Sequence, residues 1–345
     1  MYKETAKEVL DFIQKSPSCF HAIQEIGRQL RENGFEELRE TDRWSIKKGG
    51  SYFTTRNGSS LIAFRVGKTL DDYHFQVTSS HCDSPTFKVK EKAELKGKGG
   101  YLQLNTEGYG GMICSSWMDR PLSLAGRVLV REGNTVTSRL VAFDRDLLII
   151  PNVAIHMNRS INDGFAFNKQ VDMLPLFSAG ECGEDSYREL IAQELGVDPQ
   201  SILGMDMYLY NRTAPSIWGA KEEFISSPKL DDLQCACTSL KAMIQAENDR
   251  CVTVYACFDN EEVGSGTKQG ACSTFLRDVL QRINDGLGFD GEDYRRAVAG
   301  SFMVSCDNAH AVHPNHPEKT DAENCTWMNK GIVIKFSANQ KYTTD

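Results

Sequence analysis

No apolar run in this chain of 345 residues is long enough to cross a bilayer, which argues against a helical membrane span. The N-terminus also lacks the apolar block of a secretory signal. Residues 3–15 alternate Val9, Leu10, Phe12 and Ile13 with Lys3, Glu4, Lys7, Glu8 and Lys15, the pattern of an amphipathic helix. Positive charge is in short supply: the net charge is −8 and the pI about 5.5. Nucleic acids and anionic membranes need clustered Lys and Arg to displace counterions, so neither is an expected partner, and a small or peptidic ligand is more natural. There is no internal repeat, no low-complexity tract and no C-x2-C knuckle. The eleven cysteines are odd in number and scattered, several inside apolar runs (Cys257 in VTVYACF, Cys306 in FMVSC). That points to reduced thiols in a cytoplasmic protein rather than a disulfide framework. Cys235 and Cys237 read as part of a core helix.

What is present is an α/β rhythm with an interruption. Helical patterns cover 3–15 and 19–33, closed by Ser16-Pro17 and Gly34, and strand patterns follow at 60–66 and 75–79. Between about 89 and 221 the texture changes to short β-prone pieces (100–104, 122–131, 138–141, 147–150) separated by Gly- and Asn-rich turns. From Asp231 the rhythm resumes: a helix to about Ala246, a strand at 251–258, a helix at 273–287, and strands at 302–306 and 331–336. The expected organisation is therefore an outer domain in two parts, 1–88 and 222–345, around an inserted mostly-β module at 89–221.

Three groups of metal-type ligands directly follow apolar β runs: His81-Cys82-Asp83 after FQVTSS, Asp259-Asn260-Glu261-Glu262 after VTVYACF, and Asp307 after FMVSC. In an open α/β sheet ligands gather at the carboxyl ends of the strands, so three such groups can share one crevice. A fourth group, Asp231-Asp232, opens a helix, where capping and metal binding are equally good readings. His81 and Asp83, two apart on an extended chain, can face the same side, and a metal-bound imidazole commonly donates its other N–H to a carboxylate. Adjacent Glu261 and Glu262 at a strand end repel unless cations hold them; one can bind metal while the other takes a proton from water. His310 and His313 read as ligands, supporting donors or exposed residues, with the supporting role ranked first. A His among carboxylates favours Zn²⁺, with Mn²⁺ or Co²⁺ as substitutes.

The segments SPSCFHAI, SSHCDSPTFKVK, WMDRPLSLAGRV, IPNVAIHMNRSIN, SPKLDDL, FDNEEVGSGT, SCDNAHAVHPNHPEK and KGIVIKFSANQKYTTD together resemble the aspartyl aminopeptidase family of two-zinc peptidases. The resemblance implies a three-layer α/β/α catalytic domain with a mixed sheet, interrupted by a β-rich dimerisation domain. It implies that His81 and Asp307 hold one ion, Asp231 bridges both, Glu262 holds the other, Glu261 is the general base and Asp83 orients His81. It also implies a cis peptide at Asp231–Asp232 and a homo-oligomer, a dodecamer built of dimers. His156 would reach a neighbouring subunit's site, and Lys335 and Tyr342 would face the substrate's first side chain. The implied activity is release of an N-terminal Asp or Glu from peptides with a free amine.

The chain departs from the family's pattern in stopping at Asp345, before a late histidine that would complete the Glu262 metal site. A truncated form with weak occupancy of the second ion is the expectation that follows. Two alternatives stand beside the aminopeptidase reading: an N-acyl amino acid deacylase, and a non-catalytic oligomeric or binding subunit.

Overall fold

A computed structural model describes residues 2–336 and 338. Its first half-domain contains α1 (Tyr2–Gln14), α2 (Cys19–Glu32), β1 (Glu36–Glu37), β2 (Ser51–Arg56), β3 (Ser60–Val66) and β4 (Phe75–His81). An intervening module contributes β5 (Thr86–Lys96), β6 (Tyr101–Tyr109), β7 (Leu122–Glu132), β8 (Thr135–Ala142), β9 (Leu176–Ala179), α3 (Ser186–Leu195) and β10 (Ile202–Asn211). A short hairpin, β11 (Ser216–Trp218) and β12 (Phe224–Ser226), leads back to α4 (Leu230–Gln245), β13 (Val252–Phe258), α5 (Phe275–Gly286), α6 (Gly291–Ala299) and β14 (Phe302–Ser305).

The first sheet runs β1-β2-β3-β13-β4-β14. Both faces of its central strands are buried, so they read as unbroken apolar runs rather than alternating ones. In β13, Tyr255 and Cys257 join the core under α1, α2 and α4, while Val252, Val254 and Ala256 join the core under α5 and α6. β3 divides the same way, Leu61 and Ala63 on one side and Ile62, Phe64 and Val66 on the other. Three layers, helix on sheet on helix, result from this two-residue alternation.

The strands β4, β13 and β14 are mutually parallel, with Phe258 opposite His81 and Ser305 opposite Ser79. Their carboxyl ends therefore lie along one edge of the sheet. The second sheet, β8-β7-β10-β5-β6-β9, has its own core of residues between Phe87 and Leu209. Chain enters that module immediately after Asp83 and returns just before Asp231. Arg127 fastens it to the first sheet: its guanidinium donates to the Asn57 carbonyl at 2.6 Å and to Asp206 at 2.7 Å, and lies 4.4 Å from the centre of the Phe20 ring.

Several sequence expectations are displaced. The 331–336 segment is not a strand; no neighbouring strand pairs with it among the described residues, and Ile332 is 94% exposed. The 147–150 piece forms only isolated bridges through Leu148 and Ile149. The inserted module includes a helix, α3, whose apolar periodicity is weak, and α6 follows α5 behind a capping box between Asp290 and Asp293. Cys235 and Cys237 do lie on α4, with Cys237 packed against the core.

Candidate metal centre

β4 ends on His81, which is 5% exposed, and the chain turns at once to place Asp83, 4% exposed, behind it. His81 Nδ1 meets the Asp83 carbonyl at 3.1 Å and the Asp83 carboxylate at 3.3 Å. This leaves Nε2 facing forward, 3.4 Å from Asp231 Oδ1 and 3.9 Å from Glu261 Oε2. Asp231 reaches the site because α4 does not begin regularly: Lys229 is left-handed, the Asp231–Asp232 peptide is cis, and Asp231 has φ −81° and ψ 112°. No side chain caps this helix start. Of the two readings of Asp231-Asp232, capping is not the one the fold uses.

Ligand atoms of His81, Asp231, Asp232 and Asp307 lie within 4.8 Å of one another, and so do those of His81, Glu261 and Glu262. Asp232 shares the open cap-or-ligand reading with Asp231, and the resemblance assigns it no ion. It is fully buried, accepts the His81 backbone N–H at 3.0 Å through Oδ2, and keeps Oδ1 without a partner among the described residues. Lys335 sits at the edge of the cluster, its ammonium 3.3 Å from Asp307 Oδ2. His156 is exposed on the inserted module, outside the cluster. Tyr342 lies outside the described residues. His310 and His313 are exposed, and no hydrogen bond links either to these carboxylates among the described residues.

Asp83 ties the site together. Its Oδ2 accepts the Tyr109 hydroxyl at 2.6 Å and the Glu262 N–H at 3.2 Å, and its Oδ1 accepts the Glu261 N–H at 3.2 Å. The turn carrying both glutamates is thus hung from the residue that backs His81. Tyr109 comes from β6 of the inserted module and itself accepts from Asn260 Nδ2 at 2.9 Å. Asn260 is left-handed (φ 67°), a conformation Asn tolerates better than most residues, and its Oδ1 is held by Thr267 and Gln269 at 2.8 Å each. Nothing local in the sequence marks Tyr109, since its partner is 26 residues away.

The electrostatics are those of anions gathered around one imidazole. Burial works against a charged His81, but hydrogen bonds to Asp231 and Asp83 outweigh it and raise its pKa to about 11. Burial raises Asp232 and Glu262 to about 7 each, and for Glu262 the neighbouring Asp83, Asp231 and Glu261 add to the effect against the pull of His81. Glu261 is raised mainly by burial, while Asp231 is lowered by its hydrogen bond to His81. A divalent cation between these groups would offset both the burial and the mutual repulsion that disfavour the charged forms of Asp232, Glu261 and Glu262.

A family model described as "Aminopeptidase I zinc metalloprotease (M18)" matches residues 12–345. The chain belongs to the M18 family of zinc aminopeptidases. A probable M18 family aminopeptidase 2 of Clostridium acetobutylicum is 47% identical over 99% of this chain and 80% of its own length. An aspartyl aminopeptidase 1 of Schizosaccharomyces pombe is 40% identical over 99% of this chain and 78% of its own length. Among solved structures, a cryo-EM structure of the Ape4 and Nbr1 complex superposes with a TM-score of 0.94 at 39% identity, covering 99% of this chain and 70% of the other.

Zinc fits this M18 site on geometry as well as on family. Two ligand atoms at about 2.0–2.1 Å from one tetrahedral ion stand roughly 3.3 Å apart. The 3.4 Å between His81 Nε2 and Asp231 Oδ1 matches that spacing. The donor set of one imidazole among carboxylates suits zinc, and the Asp83 contacts orient the imidazole as a ligand requires.

Proposed function

We propose that this M18 aminopeptidase releases the N-terminal residue, by preference Asp or Glu, from peptides with a free amine, using two metal ions and a shared water. The observation that carries the reading is the gathering of His81, Asp231, Asp307, Glu261 and Glu262 at the carboxyl ends of three parallel strands. His81 and Asp307 would hold one ion, Asp231 would be shared, and Glu262 would hold the second. Bound zinc, or Mn²⁺ or Co²⁺ in its place, polarises the scissile carbonyl and makes the water acidic. Glu261, about half exposed and 3.9 Å from His81 Nε2, takes the proton from the attacking water and delivers it to the leaving amine. Lys335 at the rim supplies the positive charge that favours an acidic first side chain.

The two ion positions are unequal. The group of His81, Asp231, Asp232 and Asp307 offers four side chains, whereas Glu261 and Glu262 share His81 with it. The second ion would therefore bind more weakly, and zinc titration should show two steps. The exposed apolar residues Val153, Ile155 and Met157 around His156 support assembly through that face into a homo-oligomer, a dodecamer of dimers. Eleven unpaired cysteines support a cytoplasmic setting. Among the described residues no helix is long and apolar enough to cross a membrane.

The test is Glu261→Gln, assayed on aspartyl, glutamyl and leucyl anilides with zinc content measured in parallel. Removing a general base costs about 10²- to 10⁴-fold in turnover, and zinc content should hold. Unchanged turnover with zinc bound would show that Glu261 is not the base, and faster release of Leu than of Asp or Glu would overturn the acidic preference.

A further inference from the structure

A cavity of about 410 Å³ lies between the inserted module and the first domain, with Asp83 and Asp231 in one wall. It is contiguous with the metal cluster, yet Asp307 and Lys335, which mark the side assigned above to the substrate's first residue, do not line it. The cavity therefore opens from a different side of the cluster. Most of its wall is apolar or aromatic, supplied by Trp117, Tyr208, Tyr210 and Leu230. Two basic side chains face it from different parts of the chain. Lys229, on the segment returning to α4, donates to the Ser16 carbonyl and stands 6.0 Å from the Tyr210 ring centre. Arg120, from the inserted module, has no partner for its guanidinium among the described residues, and its Nε is shielded from solvent.

A shielded donor without an acceptor is costly, and such groups in native folds generally await a ligand, an ion or water. An apolar chamber with one unpaired guanidinium and a buried lysine amine suits a carboxylate attached to a bulky apolar body. Taken with a peptidase site at its end, that is the description of a residue just beyond the scissile bond that also carries the peptide's C-terminal carboxylate. We infer that this cavity receives the leaving residue of very short peptides, with Arg120 gripping its terminal carboxylate, so that the protein favours dipeptides with an apolar second residue. The inference rests on the aminopeptidase reading above and adds the substrate class to it.

Binding can be tested without turnover. The metal-free chain is titrated with aspartylphenylalanine and with its C-terminal amide, following the fluorescence of Trp117 in the cavity wall, with Trp117→Phe identifying the signal. A charge-assisted hydrogen bond is worth about tenfold or more in affinity, so the acid should bind at least that much better than the amide. In Arg120→Met the two affinities should converge. Equal binding of acid and amide by the unaltered chain overturns the inference and needs no variant to read. An acid preference that persists in Arg120→Met overturns the role given to Arg120. N-acetylphenylalanine separates the sources of the carboxylate: binding as tight as that of the dipeptide would mean that the cavity serves a free acid rather than a substrate. Failure of the zinc-loaded chain to release aspartate from aspartylphenylalanine while the acid preference persists would instead sink the aminopeptidase reading.

Discussion

Replacing Asp83 by Asn keeps the shape of the side chain and removes its charge, which isolates what that carboxylate does for the metal site. One oxygen accepts from Tyr109 and Glu262, the other accepts from Glu261 and faces His81 Nδ1. An amide presents only one acceptor atom, so whichever way it turns, an NH₂ group confronts one of these donor sets. Bonds to a charged acceptor contribute about 1.5–3 kcal/mol each, and loss of such support behind a metal ligand typically costs about 10- to 100-fold in metal affinity. The Glu261–Glu262 turn is loosened by the same change, so turnover at saturating zinc should fall as well. Competition with a chromogenic chelator gives the zinc affinity, and far-UV circular dichroism confirms the fold. Zinc affinity indistinguishable from that of the unaltered chain would refute the assignment of Asp83 as the support of His81.

Tyr109→Phe should reproduce part of that effect, about tenfold in zinc affinity, because it removes one Asp83 partner and leaves Asn260 Nδ2 unpaired; titration by the same chelator decides. The metal-free chain should lose stability as pH rises. Asp232 and Glu262 have folded pKa values of about 7 against ordinary values of 3.8 and 4.5, and His81 about 11 against 6.5. In each case the folded state binds more protons, so this contribution is full below the ordinary pKa and lost as pH climbs through the folded one. Melting temperature against pH, with and without zinc, checks this, and zinc should stabilise most at the alkaline end. Phe64→Ala, a fully buried ring between β3 and the α5 layer, should cost about 3–5 kcal/mol in denaturant unfolding.

Much of this arrangement could be read from residue order. Apolar runs ending in FQVTSSH, VTVYACFDNEE and FMVSCD announce strands whose ends carry ligands, because a strand buried on both faces has no polar residue until it leaves the sheet. What the runs do not reveal is direction. That β4, β13 and β14 are parallel, and so deliver His81, Glu261 and Asp307 to one edge, depends on crossovers of many residues. The support of the site was legible only in part. His81-x-Asp83 is local and was visible, whereas Tyr109 acts across two domains, and Asp231-Asp232 stood open between cap and ligand because a helix start by itself does not show where the two carboxylates turn. The 331–336 run shows the opposite error: apolar, β-prone residues form a strand only where another strand offers its backbone.

The inserted module leaves the first sheet two residues after one histidine ligand and rejoins it just ahead of the aspartate that faces that histidine. Its two tethers therefore carry the two side chains, His81 and Asp231, that face each other at 3.4 Å. A tilt of the module against the first sheet would register as a change in the 3.4 Å gap between His81 and Asp231.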